Sequence, residues 1–343
     1  MMVIYVKIAL ISTPILKTPP SSYGGLELIV YLLGKELVKA GYDVTLFAAK
    51  GSRLEGAEVV ETVEPPEKVN VNWFELERKH FEKYKDRLKE FDIVHDHTWY
   101  GFPYLVKDVL VVHTHHGHVA WRSPPPREKP NLVALSYFHK LCCEERLWGT
   151  TWKVAYNGID LSQYKFRRDK EDFYLFLSRI SRVKMPHFAI KVAKRAGVKL
   201  IVAGGFFVED MNYVKMIKDM CDGEQIIFKG EVSHEEKIEL LSKAKALIFT
   251  PSPTFMEPFG LTPVEAMSSG TPVVSLISGA TPEVIRDGYS GFLCSTELEM
   301  IRKIKMVDEI KPENCRKWAE KFSSEQMRKW YDVLYIMALG SGW

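Results

Sequence analysis

Cysteine is scarce in this chain and poorly spaced for cross-linking or metal binding, with five residues at 142, 143, 221, 294 and 315, two of them adjacent. An odd number without ligand spacing excludes a disulfide framework and points to reduced thiols in a cytoplasmic protein. An excess of one charge is also missing. The 47 Lys and Arg against 44 Asp and Glu leave a formal net charge of +3 over 343 residues, so there is no electrostatic case for nucleic acid as a partner. The apolar run from Val3 to Leu10 is broken by Lys7. It is too short to span a bilayer, has no leader-type cleavage pattern after it, and reads as a first strand. Asn and Gln number only six and three, while Lys, Glu and Arg abound, a bias shared with thermophile proteins.

What is present is a globular composition, 46% hydrophobic, and a length that suggests two domains of about 150 residues each. Short apolar runs at 6–12, 43–48, 92–96, 109–114, 131–135 and 152–156 predict strands, with a helix over 25–40. Such alternation signals βαβ units and a parallel sheet. The pattern restarts at 173–178 and continues through 199–203, 225–229, 246–249 and 271–275. The expected fold class is therefore α/β, with two doubly wound Rossmann-like domains over 1–160 and 161–322. A polar stretch over 157–172 reads as the linker, and a final amphipathic helix over 323–339 carries Trp330, Tyr331, Leu334, Tyr335 and Met337.

The segment Glu257-Pro-Phe-Gly-Leu-Thr-Pro-Val-Glu265 sets two carboxylates around the start of a helix. Thr262 reads as its N-cap, Pro263 as its first residue, and Glu265 stands at the capping-box spacing. Gly260 would let a ligand approach the unpaired N–H groups, which suits a diphosphate. Glu265 is explained equally well as a capping residue; Glu257 has no such structural explanation. Gly24 and Gly25 open the first helix after a long loop and would offer close backbone approach to negative charge, or simply a tight turn. Arg179 and Lys184 follow an apolar strand five residues apart; with Arg182 beside them they are either a cation clamp or a solvated basic loop.

Histidine is concentrated: His95, His97, His113, His115, His116 and His118 fall at two strand ends, with Asp96 placed to orient one ring. Alternation puts His95 with His97, and His113 with His115, on common faces. A three-histidine metal site is therefore open as a competitor to the expectation of no metal.

Glu257-Pro-Phe-Gly-Leu261 through Glu265, followed by Ala266-Met267 and Gly270-Thr-Pro-Val-Val274, closely resembles the E-x7-E signature of family 4 retaining glycosyltransferases. Four more segments resemble that family in order: Pro19 to Glu27 with Gly41 to Phe47, Asn157-Gly-Ile-Asp160, Phe176 to Lys184, and Gly279-Ala-Thr-Pro-Glu283 with Asp287 to Gly291. The likeness runs from about residue 7 to 340. It implies a GT-B fold, with an acceptor-side domain, a donor-side domain facing it across a cleft, and a C-terminal helix over 323–343 that crosses back to the first domain. It further implies transfer of a hexosyl unit from a nucleotide diphosphate sugar, UDP- or GDP-linked, to an acceptor hydroxyl. Transfer would proceed with retention, by front-face leaving-group assistance, and with no cofactor or metal. On that resemblance Glu257, His116, Arg179 and Lys184 are the catalytic set. Gly24, Gly25, Phe259, Gly260, Leu261 and Glu265 bind the donor, and His97 touches sugar or acceptor. The sequence departs from the family where Ser178 and Met185 replace the usual glycines beside the Arg and the Lys.

The choice between His115 and His116 stays open, as does the acceptor, whether glycan, lipid-linked or small molecule. Its loops would be 64–90 and 117–130, the latter with Trp121, Arg122 and Pro124-Pro-Pro126. The mixed-charge segment 74–91 reads as a solvated helix. Peripheral contact with an inner membrane face stays open. The same architecture also supports a nucleotide-sugar epimerase or a non-catalytic nucleotide-sugar sensor.

Overall fold

The computed structural model describes residues 6–21, 24–67, 71–117, 130–147, 149–206, 210–340 and 342–343. The expectations resting on Val3, His118, Trp121, Arg122 and Pro124 to Pro126 fall outside these residues. The chain forms two compact units, Met1–Gly158 with Ser324–Trp343, and Ile159–Ser323.

In the first unit β1 (Lys7–Ile11), α1 (Gly25–Lys39), β2 (Asp43–Ala48), β3 (Glu58–Glu61), α2 (Trp73–Glu82), β4 (Ile93–Asp96), β5 (Val111–Thr114), β6 (Asn131–Ala134), α3 (Tyr137–Arg146) and β7 (Trp152–Val154) follow in order. The seven strands make one sheet in the order β3-β2-β1-β4-β5-β6-β7, and every pair is parallel. The central strands are buried along nearly their whole length, as expected where helices cover both faces of a parallel sheet. Ile29, Val30, Leu33 and Leu37 of α1 are fully buried; each contributes about 2 kcal/mol of hydrophobic stabilisation.

In the second unit β8 (Tyr174–Leu177), α4 (Pro186–Ala196), β9 (Leu200–Ala203), α5 (Met211–Asp219), β10 (Ile226–Gly230), α6 (His234–Lys243), β11 (Ala246–Phe249), α7 (Leu261–Ser268), β12 (Val273–Leu276), α8 (Thr281–Val284), β13 (Gly291–Cys294), α9 (Glu297–Ile304) and α10 (Pro312–Ala319) follow. Its six-stranded sheet runs β10-β9-β8-β11-β12-β13, again all parallel. The last helix, α11 (Ser324–Leu339), counts with the first unit and packs on α1.

The predicted strand and helix ends agree with these to within two residues, and the α/β class holds. Three expectations are corrected. The sheet-edge strands β3 and β13 were not foreseen. Segment 74–91 is not one solvated helix: α2 stops at Glu82, a 3-10 turn covers Lys85–Glu90, and Glu77, His80 and Phe81 are buried. The stretch expected as a linker packs into the second unit, where Tyr164 is buried.

Each sheet reverses its strand order at one point, between β1 and β4 in the first unit and between β8 and β11 in the second. Open parallel sheets bind ligands just beyond the carboxyl ends of the strands at such a point, because the loops on either side diverge and leave a crevice.

Candidate active site

In the second unit the loop after β8 carries Arg179 and Lys184, and the loop after β11 carries Glu257. Both leave the sheet at its switch point. Lys184 and Glu257 form an ion pair whose side chains are 16% and 8% exposed, so the charges meet with little water to screen them. The Lys184 ammonium also stands 5.3 Å from the centre of the Phe255 ring. Arg182 turns away to bond Asp210 at 2.8 Å and to cover the Tyr213 ring, so the basic stretch divides its charges between separate tasks. Arg179 is half-buried beside β8.

The positions where this chain departs from the family have physical consequences. Met185 adopts φ 48°, the left-handed region that a glycine would occupy without strain. The Thr250 hydroxyl holds it there by donating to the carbonyls of Lys184 and Met185 at 3.0 and 3.1 Å. Ser178 lies under Gly204, where a Cβ would fall 1.8 Å from the Ser178 carbonyl oxygen.

Glu257 is fixed by its backbone. Its carbonyl accepts from the Ala280 N–H at 2.8 Å, and its N–H faces the Ser278 hydroxyl at 3.4 Å. Gly279 makes this possible, since a Cβ there would lie 2.2 Å from the Glu257 carbonyl oxygen. The Gly-Ala-Thr-Pro-Glu segment thus supports the first carboxylate, a role that only the fold reveals.

The capping box predicted for Thr262 and Glu265 is not formed. Gly260, at φ 88°, is the N-cap of α7 without any side-chain cap, and Leu261 is the first helical residue. Glu265 is drawn to stronger partners: its Oε1 accepts from the Tyr164 hydroxyl at 2.7 Å and the Lys237 ammonium at 2.8 Å. Burial alone would raise its pKa, but the Lys237 charge and these two hydrogen bonds outweigh it and hold the carboxyl below its ordinary value. The Phe259 side chain is buried against Phe322, which leaves its backbone for any ligand contact.

In the first unit Gly24 is the N-cap of α1 at φ 153°, and a Cβ on it would press within 2.6 Å of the Pro20 ring, so packing alone demands the glycine. Gly25 begins the helix. Inside its first turn the buried Glu27 accepts from the Thr13 hydroxyl.

His97 leaves β4 and bonds His116 through ring nitrogens 2.8 Å apart. His115 instead packs toward His139 and Trp152, so His116 is the ring that joins His97. Asp96 orients His113, with 2.8 Å between carboxylate and Nδ1. Both nitrogens of His95 are taken, by the Tyr335 hydroxyl at 2.7 Å and the Thr114 hydroxyl at 2.8 Å, and Tyr331 bonds Thr114 in turn. His95 is therefore a structural ring that α11 completes. Burial, first, and neighbouring histidines, second, hold His95, His97 and His116 well below the usual imidazole range. No group of three or more His, Cys, Asp or Glu among the described residues is arranged to hold a metal ion. None of the five cysteines is in a disulfide.

The structure thus brings Lys184 to Glu257 and His97 to His116, and gives Glu265 a separate pairing. Sequence reasoning missed Tyr164, Lys237 and Ser278. Neither Tyr164 nor Lys237 carries a local signal, and Ser278 stands one residue before a segment already noted.

Two parallel Rossmann-like sheets, each with one strand-order reversal, are the architecture of the GT-B fold, and the sequence agrees. Residues 160–322 match the family described as glycosyl transferases group 1, and residues 23–163 match glycosyltransferase family 4. The chain belongs to the family 4 glycosyltransferases. Among its relatives is a D-inositol 3-phosphate glycosyltransferase of Mycobacterium tuberculosis, 34% identical over 247 residues that cover 60% of this chain and 51% of that one. The match thus spans about half the length of such relatives. In fold it is similar to AviGT4, a glycosyltransferase involved in avilamycin A biosynthesis (TM-score 0.76, 23% identity, 98% of each chain). It is also similar to Anabaena HepE, solved with UDP and glucose (TM-score 0.69, 19% identity, 96% of this chain and 99% of that one).

Proposed function

We propose that this chain is a retaining hexosyltransferase that uses a nucleotide diphosphate sugar, UDP- or GDP-linked, and an acceptor hydroxyl on a glycan, lipid-linked or small molecule. The observation that carries the reading is the largely buried Lys184–Glu257 pair at the switch point of the second sheet. A lysine and a glutamate held together away from water form a polar site already desolvated for an anionic ligand.

Glu257 binds the sugar hydroxyls, and Lys184 shares its charge between Glu257 and the arriving diphosphate. Arg179 adds the second cation. The start of α7, from Phe259 to Leu261, offers backbone N–H groups to the same phosphates. As the glycosidic C–O bond breaks, charge gathers on the leaving phosphate oxygen, and these groups stabilise it there. That oxygen accepts the proton of the acceptor hydroxyl as the new C–O bond forms on the same face, which gives retention. With Arg179 and Lys184 meeting the diphosphate charge, the reaction is read as metal-independent. Glu265 accepts from the ribose hydroxyls. His116 bonds the donor sugar, held by His97, and Gly24 and Gly25 serve donor approach in the first unit.

Glu257→Ala or Lys184→Ala should lower turnover at least tenfold. Steady-state assay of each donor with an acceptor panel, with and without EDTA, checks this, and NMR of the product anomer checks retention. Near-native transfer by either variant, or loss of activity with EDTA, overturns the corresponding part of the reading.

A further inference from the structure

The second carboxylate, Glu265, is 5% exposed, and its two hydrogen bonds both fall on the same oxygen, Oε1. Two donors on one oxygen fix the carboxylate plane and leave Oε2 with its lone pairs toward any ligand. The donors come from distant parts of the chain. Tyr164 precedes β8 and Lys237 lies on α6, while the Lys237 ammonium also covers the Tyr164 ring at 5.8 Å. His234, one turn earlier on α6, bonds the side chain of Gln163 at 3.0 Å and so ties the same two segments together.

A buried carboxylate that has one nearby cation is held both in place and in charge by that cation. We propose that Lys237, with Tyr164, is the positioning pair for nucleotide binding: it fixes Glu265 so that the ionised Oε2 accepts from the 2′- and 3′-hydroxyls of a ribose, which makes the site select ribonucleoside over 2′-deoxyribonucleoside diphosphates. The inference rests on the ribose reading of Glu265 given above. Neither residue touches the nucleotide; both act through Glu265.

The charged and titratable groups that face Glu265 are Lys237 and His234 from α6 and the Tyr164 phenol. The wild-type carboxyl lies below its ordinary value of 4.5, so its charge is constant from pH 7 to 9. Without Lys237 the burial cost is opposed only by the Tyr164 hydrogen bond and the pull of His234, and the carboxyl moves up. Its charge, and with it the grip on the diol, is then weakest at the low end of that range and recovers as pH rises. His234 is itself held below the usual imidazole range, first by burial and then by Lys237, so in the wild type it is neutral from pH 7 upward.

The test is isothermal titration of UDP and 2′-deoxy-UDP, or of the GDP pair if only guanine binds, into wild type, Lys237→Met, Lys237→Arg and Tyr164→Phe at pH 7, 8 and 9. The wild type is expected to prefer the ribonucleotide by about tenfold or more at every pH, the range for a hydrogen bond to a charged group. Lys237→Met should show a weakened preference at pH 7 that recovers in part by pH 9, and Lys237→Arg should keep it. Tyr164→Phe retains the ring, covers the case in which Lys237→Met does not fold, and should weaken the preference by about threefold. A full, pH-independent preference in Lys237→Met, or an unchanged one in Tyr164→Phe, overturns the positioning role and leaves the ribose reading standing. A wild type that does not discriminate between the two nucleotides overturns both.

Discussion

The two switch points solve opposite problems. In the second unit the site is built from full charges, each buried carboxylate facing its own lysine: Glu257 with Lys184, Glu265 with Lys237. In the first unit burial is equally deep, but three histidines and a glutamate are kept neutral there. His95, His97 and His116 are held unprotonated, and burial, with Asp96 adding and the Trp99 N–H opposing, pushes Glu77 up to about 8. A charged crevice suits a diphosphate, whereas a neutral, hydrogen-bonding one suits hydroxyls. The same strand-order reversal thus carries two electrostatic environments, according to whether a counterion is buried along with the acid.

The strongest way to break this contrast is to disturb the support of one charged pair without touching its charges. Gly279→Ala would place a methyl group on the Glu257 backbone at a position with φ 55°. The expected cost is about 3 kcal/mol of stability with at least a tenfold fall in turnover, read by denaturant unfolding and steady-state assay. The matching cut in the neutral unit is Tyr335→Phe, which strips His95 Nδ1 of its partner in a site closed to water. It should cost about 2 kcal/mol, measured the same way.

Acid sharpens the comparison further. The histidines have folded values depressed below their ordinary 6.5, so their contribution to stability is complete above 6.5 and is lost as pH falls below it. Glu265 is depressed from 4.5, so its contribution persists until pH falls through 4.5 and toward its folded value. Glu77, raised to about 8, gains stability over the same fall and offsets part of the histidine loss, so hydrogen exchange followed from pH 8 to 4 should show protection falling first in the histidine-bearing strands of the first unit. Simultaneous loss in both units would refute the assignment. The smallest effect is expected at Met185→Gly, which relieves the left-handed strain beside Lys184 and should stabilise the second unit by about 0.5–1 kcal/mol in thermal unfolding.

The architecture was largely legible because buried parallel strands are written as unbroken apolar runs. β3, with two apolar residues between two glutamates, was too short to register, and β13 was hidden inside a turn-rich stretch. In the site, local pattern located Glu257, Lys184 and the histidines. It left Glu265 between a helix cap and a ligand contact, because pairing with a lysine depends on α6, 28 residues earlier in the chain. Local spacing could not reveal Tyr164 for the same reason, or that Gly279 is required by the backbone of Glu257. Partners distant in sequence are set by how strands stack, and that order is not contained in any one segment.

α11 carries a consequence for how the molecule is made. The first unit draws its last sixteen-residue helix from beyond the entire second unit, and the ring nitrogen of His95 waits for Tyr335. A growing chain therefore releases the complete, contiguous second unit before the first can close. The half that emerges first is finished last.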